Sequence, residues 1–371
     1  MRRFGKAWAL ALGLGAVVAF SQPSLARIGG LEDLPGGGTF GSSADNIPVG
    51  VVMVDQFFVQ VGRNDIGPGA PFKAVGGNAP NSTVAVGVAV FIFNPGWEFL
   101  GATTQFIIAQ PFVNVGQSGF LNAFNGTGGD NKNFGGVNDT LFKADAAWKF
   151  GDIHVKLALG AWVPDGTQQQ NDGLGNVGLP FFTIQPEFAL SWEPQNWLWG
   201  GNWNFTAYTY WEISTENRVT GYQNAPIFHA DFTATGTWGK WTIGPLVSYF
   251  TQVGHDSSSP FYAVGLGTKP AECIGPIGFQ CLDGPQNFWQ VAVGGLLQYN
   301  FGPVTLQLWG SRTVAGEASG QSLVNNTFGF PGVVHDAGNA SSSWIVWFQA
   351  SYALWTPPAP EAPPKAPLIY K

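Results

Sequence analysis

Residues 141–163, which read LFKADAAWKFGDIHVKLALGAWV, are two stretches of alternating side chains joined at Gly151-Asp152. Within residues 153–163, aliphatic residues occupy one set of alternate positions, whereas His154 and Lys156 belong to the other set. A period of two places these sets on opposite faces of a β-strand. The segment therefore predicts two strands joined by a short turn, each with two chemically different faces.

The same alternation recurs along the chain beyond residue 48, whereas helical periodicity is nearly absent there. Twelve runs alternate in this way, and most are long enough for a tilted strand to cross the hydrocarbon core, which takes about 9–11 residues. The predicted strands are residues 49–61, 83–93, 101–112, 141–150, 153–163, 181–193, 201–214, 226–238, 240–252, 288–300, 303–313 and 343–355.

The connections between these runs alternate strictly between short and long. The short ones are residues 94–100, 151–152, 194–200, 239 and 301–302, and the long ones are residues 62–82, 113–140, 164–180, 215–225, 253–287 and 314–342. An outer-membrane barrel has this rhythm, with short periplasmic turns and long extracellular loops, whereas a sandwich or propeller does not require it. The sequence therefore predicts an all-β fold, a 12-stranded antiparallel up-and-down transmembrane β-barrel with both termini in the periplasm.

The composition suits a sheet surface in lipid. Charged residues make up 11% of the chain and aromatic residues 15%, whereas a soluble domain usually has about 25% charged residues. A charge facing lipid costs about 2–4 kcal/mol at the midplane, so we expect Lys156, Glu187 and Asp231 on the inner face. A soluble β protein, the alternative, would reverse this assignment and pack its aromatic faces inside.

The first residues indicate export. The basic head Met1–Lys6, an apolar run and the small residues of Ser24-Leu25-Ala26 have the layout of a secretory signal peptide over residues 1–26. We therefore expect the mature chain in the bacterial outer membrane.

Two further segments flank the predicted barrel of residues 49–355. The Gly-rich residues 27–48 are interpreted either as a partial plug or as a flexible leader. The Pro-rich residues 356–371 cannot join a sheet because proline lacks an amide donor, and they are interpreted as a periplasmic spacer or an inert extension.

The inner face supplies a set of candidate lumen residues. Its charged members have mixed signs, which favours either internal ion pairs or a selectivity ring, and its aromatic members offer a track for apolar solutes. The candidates are Lys143, Asp145, Lys149, His154, Lys156, Trp162, Gln185, Glu187, Tyr208, Tyr210, Glu212, His229, Asp231, Trp309 and Arg312.

Motifs for catalysis or for cofactor binding do not stand out. The chain has four histidines, and we interpret His154 and His229 as lumen-lining donors rather than as metal ligands. We expect no catalytic, cofactor-binding or metal site, and hence no enzyme.

Cys273 and Cys281 are the only two cysteines, and in an exported protein such a pair predicts a local disulfide, with two free thiols as the alternative.

Several segments resemble the outer-membrane "meta-pathway of phenol degradation" transporter-like family. They are residues 148–154 (WKFGDIH), 160–164, 186–192, 301–303 (FGP) and 34–38 (LPGGG). The resemblance implies a barrel that helps aromatic or other hydrophobic compounds to enter the cell.

Together these observations predict a channel for passive uptake of small, hydrophobic or aromatic molecules. The expected partners are a small-molecule solute, outer-membrane lipid and the barrel-insertion machinery during biogenesis. Nucleic acid is not expected, because the chain carries a net charge of −7. The alternatives are a barrel-anchored surface binding or structural protein without transport, and a soluble secreted binding protein.

Overall fold

The architecture is taken from a computed structural model. It describes residues 38–41, 43–66, 81–118, 132–167, 177–216, 222–254, 257–258, 279–325, 332–334 and 340–358. The predicted signal peptide and most of the Pro-rich tail lie outside these residues.

Twelve long strands form the wall of the molecule. They are β1 (Gly50–Ile66), β2 (Asn81–Asn94), β3 (Ala102–Ser118), β4 (Thr140–Phe150), β5 (Ile153–Val163), β6 (Thr183–Trp192), β7 (Asn202–Ser214), β8 (Ile227–Trp238), β9 (Trp241–Gln252), β10 (Phe279–Asn300), β11 (Val304–Asn325) and β12 (Ala340–Trp355).

The strands close into a barrel. Each strand pairs antiparallel with its neighbours in the chain, and β1 also pairs with β12, for example Phe57 with Phe348. Closure leaves no unpaired edge along the wall, which is what a sheet surrounded by lipid requires. The predicted 12-stranded antiparallel up-and-down barrel is confirmed.

The two ends of the barrel differ. Two-residue turns join β4 to β5 and β8 to β9, and each begins with a glycine of positive φ, Gly151 at 66° and Gly239 at 60°. Glycine at the first turn position matches the twist of the flanking strands without a side-chain clash. The short turns and both ends of the barrel chain lie at this end, which corresponds to the periplasmic side of an outer-membrane barrel.

At the opposite, long-loop end the strands run further than predicted. β10 and β11 each have 22 residues, so the predicted runs 288–300 and 303–313 were too short. Where strands extend beyond the lipid, they pair through backbone hydrogen bonds alone and need no alternation of apolar and polar side chains. The extended parts of β10 and β11 therefore have no alternating pattern in the sequence. Short strands continue this region, among them Lys132–Val137 against β3 and Gly332–Val334 against β11.

The outer face is apolar. Exposed aromatic side chains gather at the periplasmic end, where Trp97, Trp197 and Trp199 have from 42% to 80% of their surface exposed. Such a belt marks the boundary between lipid and water. One carboxylate, Asp55, also faces outward, and the Tyr352 hydroxyl donates to it over 3.1 Å. In the described residues, no helix is long and apolar enough to cross a membrane.

Candidate functional site: the barrel lumen

The lumen has two chemically different walls. Side chains of β4–β8 supply most of its charged and polar groups, whereas β1, β2 and β9–β12 supply most of its large apolar groups. The division follows from the sequence of each strand, because inward-facing positions of β6 are Thr183, Gln185 and Glu187, while those of β2 include Val84 and Val86.

The centre of the polar wall is Glu187. Lys143 Nζ lies 2.9 Å from Glu187 Oε2, the Tyr208 hydroxyl donates to the same oxygen, and Gln185 Nε2 donates to Oε1 over 2.7 Å. Trp162 Nε1 donates to Gln185 Oε1 over 2.7 Å. Both carboxylate oxygens are therefore satisfied, as a buried charge requires.

Asp145 continues the polar wall on β4, the strand of Lys143. Its carboxylate lies 4.0 Å from the ammonium groups of both Lys143 and Lys156, and Gln105 Nε2 donates to it over 2.8 Å. Two cations and two carboxylates thus alternate across β4–β6. The mixed signs predicted for the lumen form ion pairs rather than a ring of one sign.

A stacked group completes this wall on β7–β9. The rings of Tyr210 and His229 stack with centroids 4.3 Å apart, and Phe250 lies parallel to His229 at 5.6 Å. Glu212 Oε1 is 3.8 Å from His229 Nε2. The group presents a ring stack next to a carboxylate. Tyr210, His229 and Glu212 are fully buried, and Phe250 is partly buried.

The apolar wall contains a second ring stack. Phe58 of β1 stacks on Trp347 of β12 at 4.0 Å, and Trp347 is nearly parallel to Trp309 of β11 at 5.1 Å. All three are nearly fully buried and belong to one apolar cluster, which extends to Phe40 from the N-terminal segment and to Val177 from the loop after β5. The cluster forms a continuous apolar column inside the barrel.

The described part of the N-terminal segment, residues 38–41 and 43–49, lies inside the periplasmic half of the barrel. Thr39 Oγ1 donates to Asp231 Oδ2 over 2.6 Å, which anchors the segment to the polar wall. Phe40 joins the apolar column, and its carbonyl oxygen accepts from Gln307 over 3.3 Å. The segment therefore crosses from one wall to the other.

Further along, the same segment is bonded to β3, β5 and β6. Ala44 N donates to Ser191 Oγ over 2.8 Å, Ile47 N donates to Gln105 Oε1 over 3.0 Å, and Lys156 Nζ donates to the Ser43 carbonyl oxygen over 3.2 Å. These bonds satisfy backbone groups that would otherwise be unpaired in the lumen. Whether residues 27–48 act as a plug stays a prediction.

At the periplasmic mouth, Asp45 of the segment meets His154 and Glu193. His154 Nδ1 lies 2.8 Å from Asp45 Oδ1 and 3.5 Å from Glu193 Oε1. Burial raises the pKa of the Glu193 carboxyl, and the nearby Asp45 carboxylate raises it further against the opposing effect of His154.

Most of the predicted lumen residues do face the lumen. Lys149 has the inward register but lies at the periplasmic mouth with 66% of its side chain exposed. Arg312 is a correction: its side chain is on the outer face, with the guanidinium 4.8 Å from the Trp344 ring centroid. The register explains this, because the inward positions of β11 are Trp309, Ser311 and Thr313.

Sequence reasoning identified Trp309 of the apolar column but missed the two residues stacked beside it. Phe58 and Trp347 were not among the candidates, because polar character was the criterion for an inward face. The alternation of faces could have found them, because each is separated by an even number of positions from other inward-facing residues of its strand. Cys281 lies in β10, and Cys273 lies outside the described residues, so the predicted disulfide stays a prediction.

Comparisons with known proteins agree with this architecture. The family described as "Putative MetA-pathway of phenol degradation" matches residues 63–269, more than half of the chain. No curated protein sequence matches. Among solved structures, the COG4313 outer membrane channel from Pseudomonas putida F1 is similar, with 12% identity, a TM-score of 0.57, and coverage of 83% of this chain and 98% of that one.

A second similar structure is the translocator domain of the autotransporter NalP from Neisseria meningitidis. It has 8% identity and a TM-score of 0.42, and the match covers 82% of this chain and 88% of that one. The closed barrel and the likeness to the P. putida structure identify an outer-membrane fold, so this chain is located in the bacterial outer membrane.

Proposed function

Because this chain belongs to the family of the putative MetA-pathway of phenol degradation, we propose that it is an outer-membrane channel for passive entry of small hydrophobic or aromatic molecules. The apolar column that contains Phe58, Trp309 and Trp347 carries this proposal. A channel for small ions would need no such column, whereas an apolar solute gains about 25 cal/mol for each Å² of apolar surface that leaves water.

The opposite wall supports the same function. Its charged groups are paired with one another, as between Lys143 and Glu187, so they offer little attraction to an ionic solute. An aromatic ring that enters the lumen meets flat rings at van der Waals distance on one side and hydroxyl and amide groups on the other. Offset or edge-to-face ring contacts add about 0.5–1.5 kcal/mol each. Uptake through such a lumen follows the concentration gradient, without catalysis.

Segments of the chain occupy the lumen at both ends of the barrel and narrow the route of a solute. Residues 38–41 and 43–49 lie in the periplasmic half, and Val177, Leu179 and Phe181 of the loop after β5 are buried at the long-loop end. We propose that a solute passes along the apolar column when the N-terminal segment shifts. The segment is held by a few hydrogen bonds rather than by strand pairing, so its local displacement costs far less than opening the wall.

The column can be tested by comparing Trp347→Ala with Trp344→Ala in liposome flux assays. Both substitutions remove a tryptophan from β12, but Trp347 is 1% exposed and faces inward, whereas Trp344 is 57% exposed and faces outward. We expect Trp347→Ala to change the flux of an aromatic solute relative to a small sugar by severalfold, and Trp344→Ala to leave this ratio unchanged. An equal ratio for both variants and the unaltered protein would contradict the proposal.

A second candidate is a barrel-anchored binding or structural protein. The long extension of β10 and β11 beyond the lipid favours it, because the paired outer ends of these two strands present a large surface outside the cell. Deleting residues 257–284 separates the two functions. A channel retains solute flux after the deletion, whereas a surface receptor loses binding of its partner.

A further inference from the structure

Three side chains that could ligate a metal ion meet at the periplasmic mouth, outside the central ion pairs and ring stacks of the two walls. Asp45 lies in the N-terminal segment, His154 is near the start of β5, and Glu193 follows β6. One ligand atom from each, the imidazole nitrogen and two carboxylate oxygens, all lie within 4.8 Å of one another. His154 is 1% exposed, so the environment of its ring nitrogens is set by these neighbours.

The tautomer of the neutral His154 ring follows from its contacts. Nε2 lies 3.2 Å from the Gly151 carbonyl oxygen. A carbonyl oxygen only accepts, so Nε2 carries a proton, and Nδ1 of the neutral ring is then an acceptor. Nδ1 makes no hydrogen bond within the described residues, although two carboxylates lie 2.8 and 3.5 Å from it. Three acceptors thus converge on one point, an arrangement that a cation stabilises.

We propose that Asp45, His154 and Glu193 form a site for a divalent transition-metal cation of the zinc type, which fastens the N-terminal segment to the barrel wall. One imidazole nitrogen with two carboxylate oxygens suits Zn²⁺, whereas Mg²⁺ and Ca²⁺ prefer oxygen ligands alone. This site goes beyond the proposed transport function and does not depend on it.

The two separations from His154 Nδ1 can be compared with those around a tetrahedral ion. Zinc bonds of about 2.0–2.2 Å place neighbouring ligand atoms roughly 3.3–3.5 Å apart. The 3.5 Å separation of His154 Nδ1 from Glu193 Oε1 matches this value, and the 2.8 Å separation from Asp45 Oδ1 needs a shift of about half an ångström. The Asp45 side chain is 40% exposed, which leaves room for a water molecule as the fourth ligand.

Outer contacts hold the three ligands in place. The Gly151 carbonyl orients the imidazole, as carbonyl groups that accept from the ligating histidine do in zinc sites. Asn204 Nδ2 donates to Glu193 Oε1 over 2.8 Å, and Lys156 Nζ donates to the backbone oxygen of Asp45 over 2.5 Å. Lys149 Nζ lies 4.0 Å from Asp45 Oδ2, but its side chain is 66% exposed, so water screens its charge. A bound cation would also relieve the repulsion between the Asp45 and Glu193 carboxylates.

The test is titration of the folded, detergent-solubilised full chain with Zn²⁺ by calorimetry and with Co²⁺ by visible absorption. We expect one equivalent to bind, with d–d bands typical of nitrogen and oxygen ligands. His154→Gln should abolish this binding, and Asp45→Asn and Glu193→Gln should each weaken it at least tenfold. Heat-modifiable electrophoretic mobility reports whether each variant retains the folded barrel.

Two control variants remove the same functional groups elsewhere, Glu216→Gln for the carboxylate and His335→Gln for the imidazole. Both should bind Zn²⁺ like the unaltered protein. Absence of stoichiometric binding by the folded protein, or equal binding by folded His154→Gln, would overturn the proposal.

Discussion

Lys143 shows how a charge is tolerated inside this barrel. Its ammonium group lies 2.9 Å from Glu187 Oε2 and 4.0 Å from Asp145 Oδ1, and only 12% of the side chain is exposed. Removing one member of such a buried pair leaves the other without compensation, which costs more than the pair itself contributes. The cost of unpairing explains why the polar wall is built from several charges rather than from one.

Glu187→Gln is expected to destabilise the barrel by about 3 kcal/mol, because it leaves Lys143 facing a neutral amide. The double variant Lys143→Met/Glu187→Gln should recover part of this loss, since no unpaired cation remains. Equilibrium unfolding in urea, in the same lipid or detergent, measures both. Glu216→Gln, at an exposed position, is the matched control and should lie within about 0.5 kcal/mol of the unaltered protein. A loss as small as the control's would mean that water already solvates Lys143.

At the scale of elements, the N-terminal segment differs from the strands. Strands of the wall share a full ladder of backbone hydrogen bonds, whereas residues 38–49 are held by isolated bonds such as those of Thr39, Ala44 and Ile47. An element held in this way moves without disturbing the wall. The segment is thus the part of the lumen best suited to controlling passage.

Deleting residues 38–47 is expected to raise single-channel conductance in planar bilayers severalfold, because it removes Phe40 from the apolar column and the backbone from the periplasmic half of the lumen. The barrel itself should fold, since β1 begins at Gly50. Unchanged conductance of the folded deletion variant would show that the obstruction lies elsewhere, for instance at the buried loop residues Val177 and Leu179.

The strands were predictable where their two faces differ. In β5 and β6 the alternation of aliphatic and polar residues identified both the strand and its inner face. In β2 both faces are apolar, so Val84 and Val86 gave no sign of which way they point. The cluster of Asp45, His154 and Glu193 was not predictable, because the pairing of β5 with β6 brings only His154 and Glu193 together. Asp45 reaches them through the path of the N-terminal segment inside the barrel.

At the scale of the whole molecule, the barrel is asymmetric along its axis. The periplasmic end has two-residue turns, the aromatic belt and the N-terminal segment, whereas the opposite end has extended strands and the long connections. Outer-membrane barrels have short periplasmic turns and long extracellular loops, so the short-turn end of this barrel faces the periplasm. The orientation decides which end a solute meets first.

This orientation predicts the outcome of cysteine labelling in intact cells. In a variant with Cys273 and Cys281 changed to serine, a cysteine at Glu216 should react with a membrane-impermeant maleimide, because this exposed position lies at the long-loop end. A cysteine at Lys240, equally exposed but in the turn after β8, should react only after the outer membrane is permeabilised. Each position serves as the control for the other, since the two differ only in the end of the barrel they occupy. Labelling of Lys240→Cys but not of Glu216→Cys in intact cells would reverse the orientation, and solutes would then meet the N-terminal segment before the apolar column.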